Sequence, residues 1–545
     1  MDTAELSAPE TRRETPATAQ DRVLGFLDLG TNSLRILVVR INANRSYSLL
    51  LQQREMVRLG EGVFQSQQLQ PAAMDRAVTA ARGFGALARA LGAEQLFAVA
   101  TSATRDAENQ DVLLRRMEEE AHVDLRVVSG LEEARLIHLG VASGMSLGDR
   151  RAVFIDIGGG STEVILGDQR QHYALDSLKL GAIRLATLYS VPGETGPVAE
   201  DRYELMKRYV AGSSVRTVQH LRSQRPDLFV GSSGTIMNLA EITLRRTQHR
   251  SLERLDILPL EDLRETIRML RALPLEQRRR VPGINPERAD IIVPGAAILE
   301  TLLECLGARE IVVSDRGLRE GLLADYLDRI NLFQGMSVRQ QSVFQLGRSC
   351  GFEEGHARRV ETFALGLFDD AAALGLHRWK EGERELLAHA GLLHDIGLFI
   401  AFSNHAAHTH YIIRHAEMLG FDQREIRIMA LLTLYHRKKI PKKAKKLGDL
   451  GELEKRDRRL VEELSVFLRL GENLERSRTE VVRTAHLAEE GKTLVLELRT
   501  RDECPLEVWG VQEPLESFAQ IFSRPVTLRV VRDPSREDPD GDPDA

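Results

Sequence analysis

Three short stretches rich in glycine, serine and threonine each follow an apolar run that is typical of a buried strand. In such stretches glycine lets backbone N–H groups approach a ligand, and successive N–H groups can surround an anion such as phosphate. One loop of this kind is usually only a turn, but three of them after strands favour a phosphate-binding site. The predicted phosphate-binding residues are Gly30, Thr31, Asn32, Ser33 and Arg35, then Gly158, Gly159, Gly160, Ser161 and Thr162, and finally Ser232, Ser233, Gly234 and Thr235.

Carboxylates accompany two of these stretches. Asp28 and Asp156 each end the apolar run before a loop, and Glu163 lies two residues beyond Ser161. Carboxylate oxygens are the ligands that Mg²⁺ prefers when it is shared with substrate phosphates, so these three acids are predicted Mg²⁺ ligands. Taken singly, Asp28 or Asp156 fits a turn-capping side chain equally well. The stretches lack both the P-loop pattern of nucleotide-binding proteins and the GxGxxG turn of dinucleotide folds.

The first two stretches belong to a repeated unit. Residues 23–41 and 151–167 each consist of two β-rich runs around a small-residue turn, and Asp28, Gly30 and Ser33 recur 128 residues later. A shared offset over a whole strand–turn–strand unit indicates two related lobes. Helix-like and strand-like segments alternate between the two hairpins, which predicts an α/β fold.

Strand patterns disappear from about residue 331 and return only near the C-terminus. This change of pattern predicts the main domain boundary, followed by a helical region and a small β-α-β segment. The predicted organisation is a disordered segment at 1–21, a first lobe at 22–128, a second lobe at 129–330, a helical domain at 331–476, a small α+β domain at 477–532 and a disordered acidic tail at 533–545.

The overall composition narrows the class of protein. A net charge of −6 and an aromatic content of 5% argue against a nucleic-acid-binding surface of the stacking type. Three widely spaced cysteines fit neither a disulfide framework nor a zinc site, which indicates a reducing compartment. The N-terminus carries no signal-peptide pattern and no apolar run is long enough for a membrane helix. We therefore expect a cytoplasmic protein.

Two further motifs carry charged side chains. Arg105 and Asn109 are four residues apart, so they are expected to share one helical face, and the forked donors of Arg105 suit phosphate oxygens. The alternative for Arg105 is a surface ion pair with Asp106 or Glu108. Glu132 and Glu133 begin a predicted helix, and Glu132 is interpreted as a complement to the helix dipole.

Six motifs occur along the chain in this order: DLGTNSLR, ATSATRDAEN, SGLEEARL, IDIGGGSTE, GSSGT and SDRGLREGLL. Together they resemble the exopolyphosphatase / guanosine pentaphosphate phosphohydrolase (Ppx/GppA) family. The resemblance implies an α/β fold of duplicated actin-like (ASKHA, ribonuclease-H-like) type with two lobes, followed by an all-α HD-like domain and a small α+β cap. It also implies Mg²⁺-dependent hydrolysis of a terminal phosphoanhydride, with Glu133 as the base, Arg105 as a phosphate ligand, and a homodimer.

The helical region resembles the family's HD-type module. His356, His394 and Asp395 correspond to the metal ligands of such modules. Two departures, Ala406 in HAAHT and Glu472 where an aspartate is usual, favour a vestigial or structural metal site. The alternative is that this module carries out the hydrolysis itself.

A run of six lysines within residues 438–446 predicts a guide for a long polyanion, although most such runs are solvated loops. The predicted guiding residues are Lys438, Lys439, Lys442 and Lys443. This run favours inorganic polyphosphate as substrate over guanosine pentaphosphate. An actin-like kinase is a further candidate, as is a protein that only senses guanosine tetra- or pentaphosphate. The intact Glu133, Asp156 and Glu163 argue against the sensor.

Overall fold

A computed structural model describes residues 21–189, 193–441 and 448–532. The chain divides between Ser129 and Gly130 into two compact units. Apart from Asp21, the segments predicted as disordered at 1–21 and 533–545 lie outside the described residues.

The first unit is built on a five-stranded sheet of order β3-β2-β1-β4-β5. The first three strands pair antiparallel, whereas β4 and β5 continue the sheet in parallel with β1. The central strand β1 is buried along most of its length, as expected for its nearly continuous apolar sequence. The elements are β1 (Arg22–Leu29), β2 (Ser33–Ile41), β3 (Tyr47–Met56), α1 (Val63–Ser66), α2 (Pro71–Ala90), β4 (Gln95–Ala100), α3 (Ser102–Arg105), α4 (Gln110–Ala121) and β5 (Leu125–Val127).

The second unit begins with a six-stranded sheet of order β10-β11-β9-β6-β7-β8. Its strands β6, β7 and β8 again form an antiparallel meander, and β9 and β11 extend it in parallel from β6. The elements are α5 (Gly130–Ala142), β6 (Ala152–Ile157), β7 (Thr162–Gly167), β8 (His172–Leu178), α6 (Ala182–Tyr189), α7 (Glu200–Ser223), β9 (Leu228–Ser232), α8 (Ser233–Gln248), β10 (Ile257–Pro259), α9 (Leu260–Ala272), α10 (Leu275–Arg278), α11 (Ile292–Leu306), β11 (Glu310–Val313) and α12 (Leu318–Arg329).

The two sheets therefore share one topology, with a meander of three strands and then parallel strands added beside the first. This order confirms the predicted duplicated, actin-like α/β fold. β10, which pairs antiparallel with β11 at the sheet edge, has no counterpart in the described part of the first unit.

Helix α5 is held against α12 by a close approach of their backbones. A methyl group at Gly140 would collide with the carbonyl of Gly317, and one at Gly321 would collide with the carbonyl of Leu136. Only glycine fits such a contact. The contact fixes α5 within this unit, and its first turn carries Glu132 and Glu133.

The remainder of the second unit is helical up to residue 474 and ends in a three-stranded sheet, as predicted in outline. One apolar core runs from the helices into this sheet and the last helix. None of the helices in the described ranges has the length and apolar composition needed to cross a bilayer. The elements are α13 (Val338–Ser349), α14 (Glu354–Ala373), α15 (Glu381–Leu393), α16 (His405–His415), α17 (Gln423–Leu434), α18 (Lys455–Leu474), β12 (Val482–Glu490), β13 (Thr493–Thr500), α19 (Pro505–Phe522) and β14 (Val526–Arg532).

The predicted β-α-β arrangement of the C-terminal segment was incomplete. Strand β12 pairs antiparallel with β13 before the helix, so the order is β-β-α-β. Its sequence VRTAHLAEE buries only Val482, Ala485 and Leu487. A strand with so few apolar residues gives little signal in the sequence.

Candidate active site

The two repeated hairpins close with the same hydrogen bond. The N–H of Gly30 donates to the carbonyl of Ser33 at 3.0 Å, and the N–H of Gly158 donates to the carbonyl of Ser161 at 2.9 Å. A Cβ at Gly158 would lie 3.1 Å from that carbonyl oxygen, so the turn favours glycine. The match predicted from the shared offset of 128 residues is therefore a structural repeat.

The loop between β6 and β7 is tied to the start of α6. The N–H of Ala182 donates to the carbonyl of Gly158, and the N–H groups of Ile183 and Arg184 donate to the carbonyl of Gly159, at 2.9–3.0 Å. The Arg184 side chain donates from Nε to the carbonyl of Gly160 at 2.7 Å. In a planar trans peptide the N–H points opposite to the C=O, so these bonds turn the loop N–H groups away from α6. These N–H groups are therefore directed to the side opposite α6, where they can contact an anion.

Three acids meet beside this loop. Asp156 and Glu163 are directly opposite each other on β6 and β7, and Glu133 lies buried in the first turn of α5. Burial of Glu163, which is 1% exposed, raises the pKa of its carboxyl group well above the usual value. The negative charges of Glu133 and Asp156 raise that pKa further, because each disfavours a second charge nearby. The predicted acids of the second unit are thus an electrostatically coupled group.

Glu132 and Glu133 have different environments although they are adjacent. Both oxygens of Glu132 accept hydrogen bonds from Arg135, at 2.9 and 3.0 Å, and Arg135 also donates to Asp325. The negative charge of Glu132 is therefore compensated by Arg135 on the helix surface. This agrees with its interpretation as an acid that complements the dipole at the start of a helix. Glu133 instead contributes its charge to the group that contains Glu163.

The third glycine–serine loop joins β9 to α8. Ser232 is the parallel neighbour of Asp156, and its hydroxyl donates to Oδ2 of Asp156 at 2.5 Å. Ser233 has a φ of 90°, which is uncommon for a residue with a Cβ and is found preferentially at functional sites. Its buried hydroxyl makes no hydrogen bond to any residue in the described part of the chain. The loop thus combines backbone strain with a donor that remains available at the N-terminus of a helix.

In the first unit, Asp28 is buried and stands opposite Arg35 in the β1–β2 register. Arg105 donates from Nη1 to the carbonyl of Val128 at 2.9 Å. The expectation that Arg105 and Asn109 share one helical face is wrong. Arg105 ends the short helix α3, whereas Asn109 precedes α4 and forms two hydrogen bonds with the backbone of Leu69. Asn109 therefore has a structural contact that the spacing did not reveal.

Two other predicted groups lie in the helical part of the second unit. His356, His394 and Asp395 come together, and Glu472 joins them. Of the lysines, Lys439 pairs with Glu513 at 3.1 Å, and Lys438 is also described. Lys442 and Lys443 lie outside the described residues.

Two residues near the acids and loops were missed by the sequence analysis. Ser177 on β8 donates from its hydroxyl to Oε1 of Glu163 at 2.8 Å, as its cross-strand position opposite Glu163 allows. Arg288 is buried against the third loop, where any side chain at Gly234 would collide with its guanidinium group. Ser177 could have been predicted, because the hairpin continues into a third strand that places Ser177 opposite Glu163. Arg288 could not be predicted in this way, because it is 54 residues from Gly234 in the sequence and only the fold brings the two together.

Two family models match most of the described chain. Residues 37–330 match the Ppx/GppA phosphatase family, and residues 338–513 match domain III of the Ppx/GppA phosphatases. An exopolyphosphatase from Cytophaga hutchinsonii is 29% identical, with a TM-score of 0.54, and the match covers 57% of this chain and 99% of that one. An exopolyphosphatase-like protein is 24% identical, with a TM-score of 0.52 and coverage of 57% and 99%, which supports the fold.

An Aquifex aeolicus member of the family has 24% identity and a TM-score of 0.48 over 57% of this chain and 99% of that one. The family matches confirm the predicted enzyme class, a phosphoanhydride hydrolase, and leave the predicted HD-type assignment of the helical region unconfirmed. The chain belongs to the Ppx/GppA phosphatase family.

Proposed function

We propose that this enzyme is an exopolyphosphatase that removes the terminal phosphoryl group of inorganic polyphosphate, with Glu133 as the base. The observation that carries the proposal is the position of Glu133, which is buried at the start of α5 and coupled to Asp156 and Glu163. A phosphate-binding loop alone suits a kinase equally well. A buried carboxylate next to such a loop adds a group that can accept a proton from water.

The acids of the second unit also fit a divalent cation, which we propose is Mg²⁺. Their donors are carboxylate oxygens. Burial and, after it, repulsion by Glu133 and Asp156 raise the pKa of Glu163, and a bound cation relieves that repulsion. Asp156 and Glu163 would hold the ion, and Asp28 remains a predicted ligand. Bound Mg²⁺ supplies positive charge to the phosphate oxygens of the substrate.

The chain's own groups account for the remaining steps. The N–H groups of residues 159–161 and of the start of α8 bind the terminal phosphate, because both segments present backbone donors to an anion. Ser233 donates its hydroxyl to a phosphate oxygen. Glu133 orients the attacking water and accepts its proton while the phosphoanhydride bond opens in line. Arg105 and the 30–33 loop remain predicted phosphate ligands of the first unit.

Polyphosphate is favoured over guanosine pentaphosphate by two observations. The relative with 29% identity is an exopolyphosphatase. The lysine run adds a local positive charge to a chain whose net charge is −6, and such a patch attracts an extended polyanion more than a single nucleotide.

The direct test is phosphate release from purified enzyme with Mg²⁺, with long-chain polyphosphate and guanosine pentaphosphate compared at equal concentrations of terminal phosphate. We expect kcat/KM to be at least about tenfold higher for polyphosphate, equivalent to ~1.4 kcal/mol in the transition state. Faster hydrolysis of guanosine pentaphosphate would assign the enzyme to the nucleotide instead. ATP serves as a control for the kinase alternative.

The lysine run makes a chain-length prediction. Replacing Lys438, Lys442 and Lys443 by alanine should raise KM for long polyphosphate roughly threefold and leave tripolyphosphate unaffected. A guiding patch acts only on a substrate that extends well beyond its terminal phosphate. The effect should fade at high salt. A matched control is Lys492→Ala, since Lys492 is exposed in the turn between β12 and β13. Equal effects on both substrates would remove the guiding role.

A further inference from the structure

A second group of metal-ligating side chains lies within the helical part of the second unit. His356, His394, Asp395 and Glu472 each place one ligand atom within 4.8 Å of the others. Asp395 also forms a second such set with His405 and His436. All these side chains are buried except Asp395, whose exposure is intermediate.

Three of the histidines are oriented in the same way. Nδ1 of His394 lies 2.7 Å from the carbonyl of Gly391, Nδ1 of His405 lies 3.0 Å from that of Phe402, and Nδ1 of His436 lies 2.6 Å from that of Thr433. A carbonyl only accepts, so Nδ1 carries a proton, and in the neutral imidazole Nε2 is then the nitrogen whose lone pair can bind a metal. A backbone carbonyl that fixes the tautomer in this way is the usual support of a metal-binding histidine.

The Nε2 atoms of His356 and His394 converge on one carboxylate oxygen of Glu472, whereas those of His405 and His436 lie 3.4 Å from each other. Oε2 of Glu472 lies 3.0 Å from Nε2 of His394 and 3.3 Å from Nε2 of His356. Within the described chain, none of these three atoms has a hydrogen-bond partner of acceptable geometry. Buried acceptors without donors are costly, and a cation at their centre satisfies them together.

Asp395 connects the two sets through its two oxygens. Oδ2 lies 3.7 Å from Nε2 of His394, whereas Oδ1 lies 3.2 Å from Nε2 of His405 and 3.6 Å from Nε2 of His436. A carboxylate that divides its oxygens between two ligand sets is the bridge found in two-metal centres, where the ions are about 3.5–4 Å apart.

A cavity of about 290 Å³ adjoins the first set. His356, His394 and Asp395 line it, together with the ion-paired Arg478 and Glu353 and with apolar side chains that include Phe352 and Leu398. Nη2 of Arg478 donates to Oδ2 of Asp395 at 2.8 Å, and its side chain is 39% exposed. A guanidinium group beside a metal centre suits a phosphate oxygen.

We propose that His356, His394, Asp395, His405, His436 and Glu472 bind two first-row transition-metal ions bridged by Asp395, and that the adjoining cavity binds a phosphate group. Four imidazoles with two carboxylates suit ions such as Mn²⁺, Fe²⁺ or Zn²⁺ better than Mg²⁺, which prefers oxygen ligands alone. Glu472 completes the first set, so its difference from the usual aspartate does not break it. This centre is separate in sequence and chemistry from the acids around Glu133.

The test uses the full chain with Asp156→Asn and Glu163→Gln, so that those acids do not hold Mn²⁺. We expect two Mn²⁺ per chain after gel filtration, with an exchange-coupled electron paramagnetic resonance spectrum. His405→Ala on this background should leave one ion and no coupling. His389→Ala is the matched control, because His389 is a buried histidine on α15 outside both sets, and it should retain two coupled ions.

Fewer than two ions, or only an isolated six-line Mn²⁺ signal from the parent chain, would overturn the proposal. The electron paramagnetic resonance spectrum of the chain with Asp156→Asn and Glu163→Gln tests the proposal by itself, even if the His405→Ala variant does not fold. Unchanged coupling in a folded His405→Ala variant would also overturn it.

Inorganic phosphate is the probe for the cavity. It should perturb the coupled spectrum, and Arg478→Ala should weaken its affinity about tenfold without loss of metal, as expected for one charge-assisted contact. Arg476→Ala is the control, because Arg476 packs over Trp509 and does not line the cavity. An unperturbed spectrum, or equal affinities in the two variants, would overturn the assignment of the cavity to phosphate.

Discussion

The two repeated hairpins have the same turn but differ in the charge of one cross-strand partner. In the first unit Asp28 stands opposite Arg35, and in the second unit Asp156 stands opposite Glu163. Opposite residues on neighbouring strands have their Cβ atoms about 5 Å apart, so their charges interact directly. The first hairpin therefore pairs an acid with a base, whereas the second places two acids together.

Because of this difference, the two hairpins suit different roles. An acid–base pair compensates its own charge, and Arg35 can offer a phosphate its remaining donors. Two acids with Glu133 nearby favour a cation or a proton. This difference supports the proposal that the catalytic acids lie in the second unit. In the first unit, Arg35 stays a predicted phosphate ligand and Asp28 a predicted Mg²⁺ ligand.

The largest effect is expected from Glu163→Gln. It keeps the shape of the side chain but removes a charge that we assign to the cation, so kcat should fall by ~10²–10⁴-fold, as for the loss of an essential catalytic group. Arg35→Gln at the matching position of the first hairpin should instead raise KM, with a loss of about tenfold. Phosphate-release kinetics measure both. Equal losses of kcat in the two variants would mean that the two hairpins have the same role in catalysis.

Glu163→Gln lowers activity, but it should increase the stability of the folded protein when divalent cations are removed. The pKa of Glu163 is raised in the folded state above an unfolded value of about 4.3, so the unfolded chain loses the proton first. The stability that this group contributes is full below about pH 4.3 and is lost as the pH rises toward the folded pKa.

In EDTA at pH 7, Glu163→Gln should therefore raise Tm by roughly 3 °C, and the gain should shrink toward pH 4. Thermal melts across this range test the prediction. Glu132→Gln, which removes an acid compensated by Arg135, should not raise Tm. A lower Tm for Glu163→Gln at pH 7 would contradict the coupled-acid account.

A smaller effect is expected from Ser177→Ala. The hydroxyl of Ser177 donates to Glu163 and opposes the rise of its pKa, so its loss should raise that pKa further. We expect the acidic limb of the kcat profile to shift upward by a fraction of a pH unit, with activity at pH 7 reduced about threefold. Ser143→Ala is the control, because Ser143 donates to the carbonyl of Gly140. A uniform loss at every pH would indicate a structural role instead.

Much of the fold could be predicted because its signals are local. Both hairpins are continuous in sequence, so their alternation of strands and glycine turns, and their shared offset, predicted the duplicated lobes. Strand β12 was missed because a mostly exposed strand carries few apolar residues. Asn109 was assigned to the wrong face because residue spacing does not show where one short helix ends and the next begins.

The residues of the candidate site also differ in whether the sequence could predict them. Asp156 and Glu163 could be predicted because each follows or precedes a loop that the sequence marks. Arg288 and Glu472 could not be assigned reliably, since each reaches its partners through the fold from a distant part of the chain. Glu472 also differs from the residue that the family resemblance implied, and only its distances to His356 and His394 show that the longer side chain reaches the same group.

The central claim is that Glu133 accepts the proton of the attacking water. Phosphate release from polyphosphate by Glu133→Gln, measured beside Glu132→Gln, tests it most directly, because the two acids are adjacent but differently partnered. We predict that Glu133→Gln lowers kcat by ~10³-fold with little change in substrate binding, and that Glu132→Gln retains most of the activity. Near-normal kcat for Glu133→Gln, or equal losses in both variants, would contradict the account.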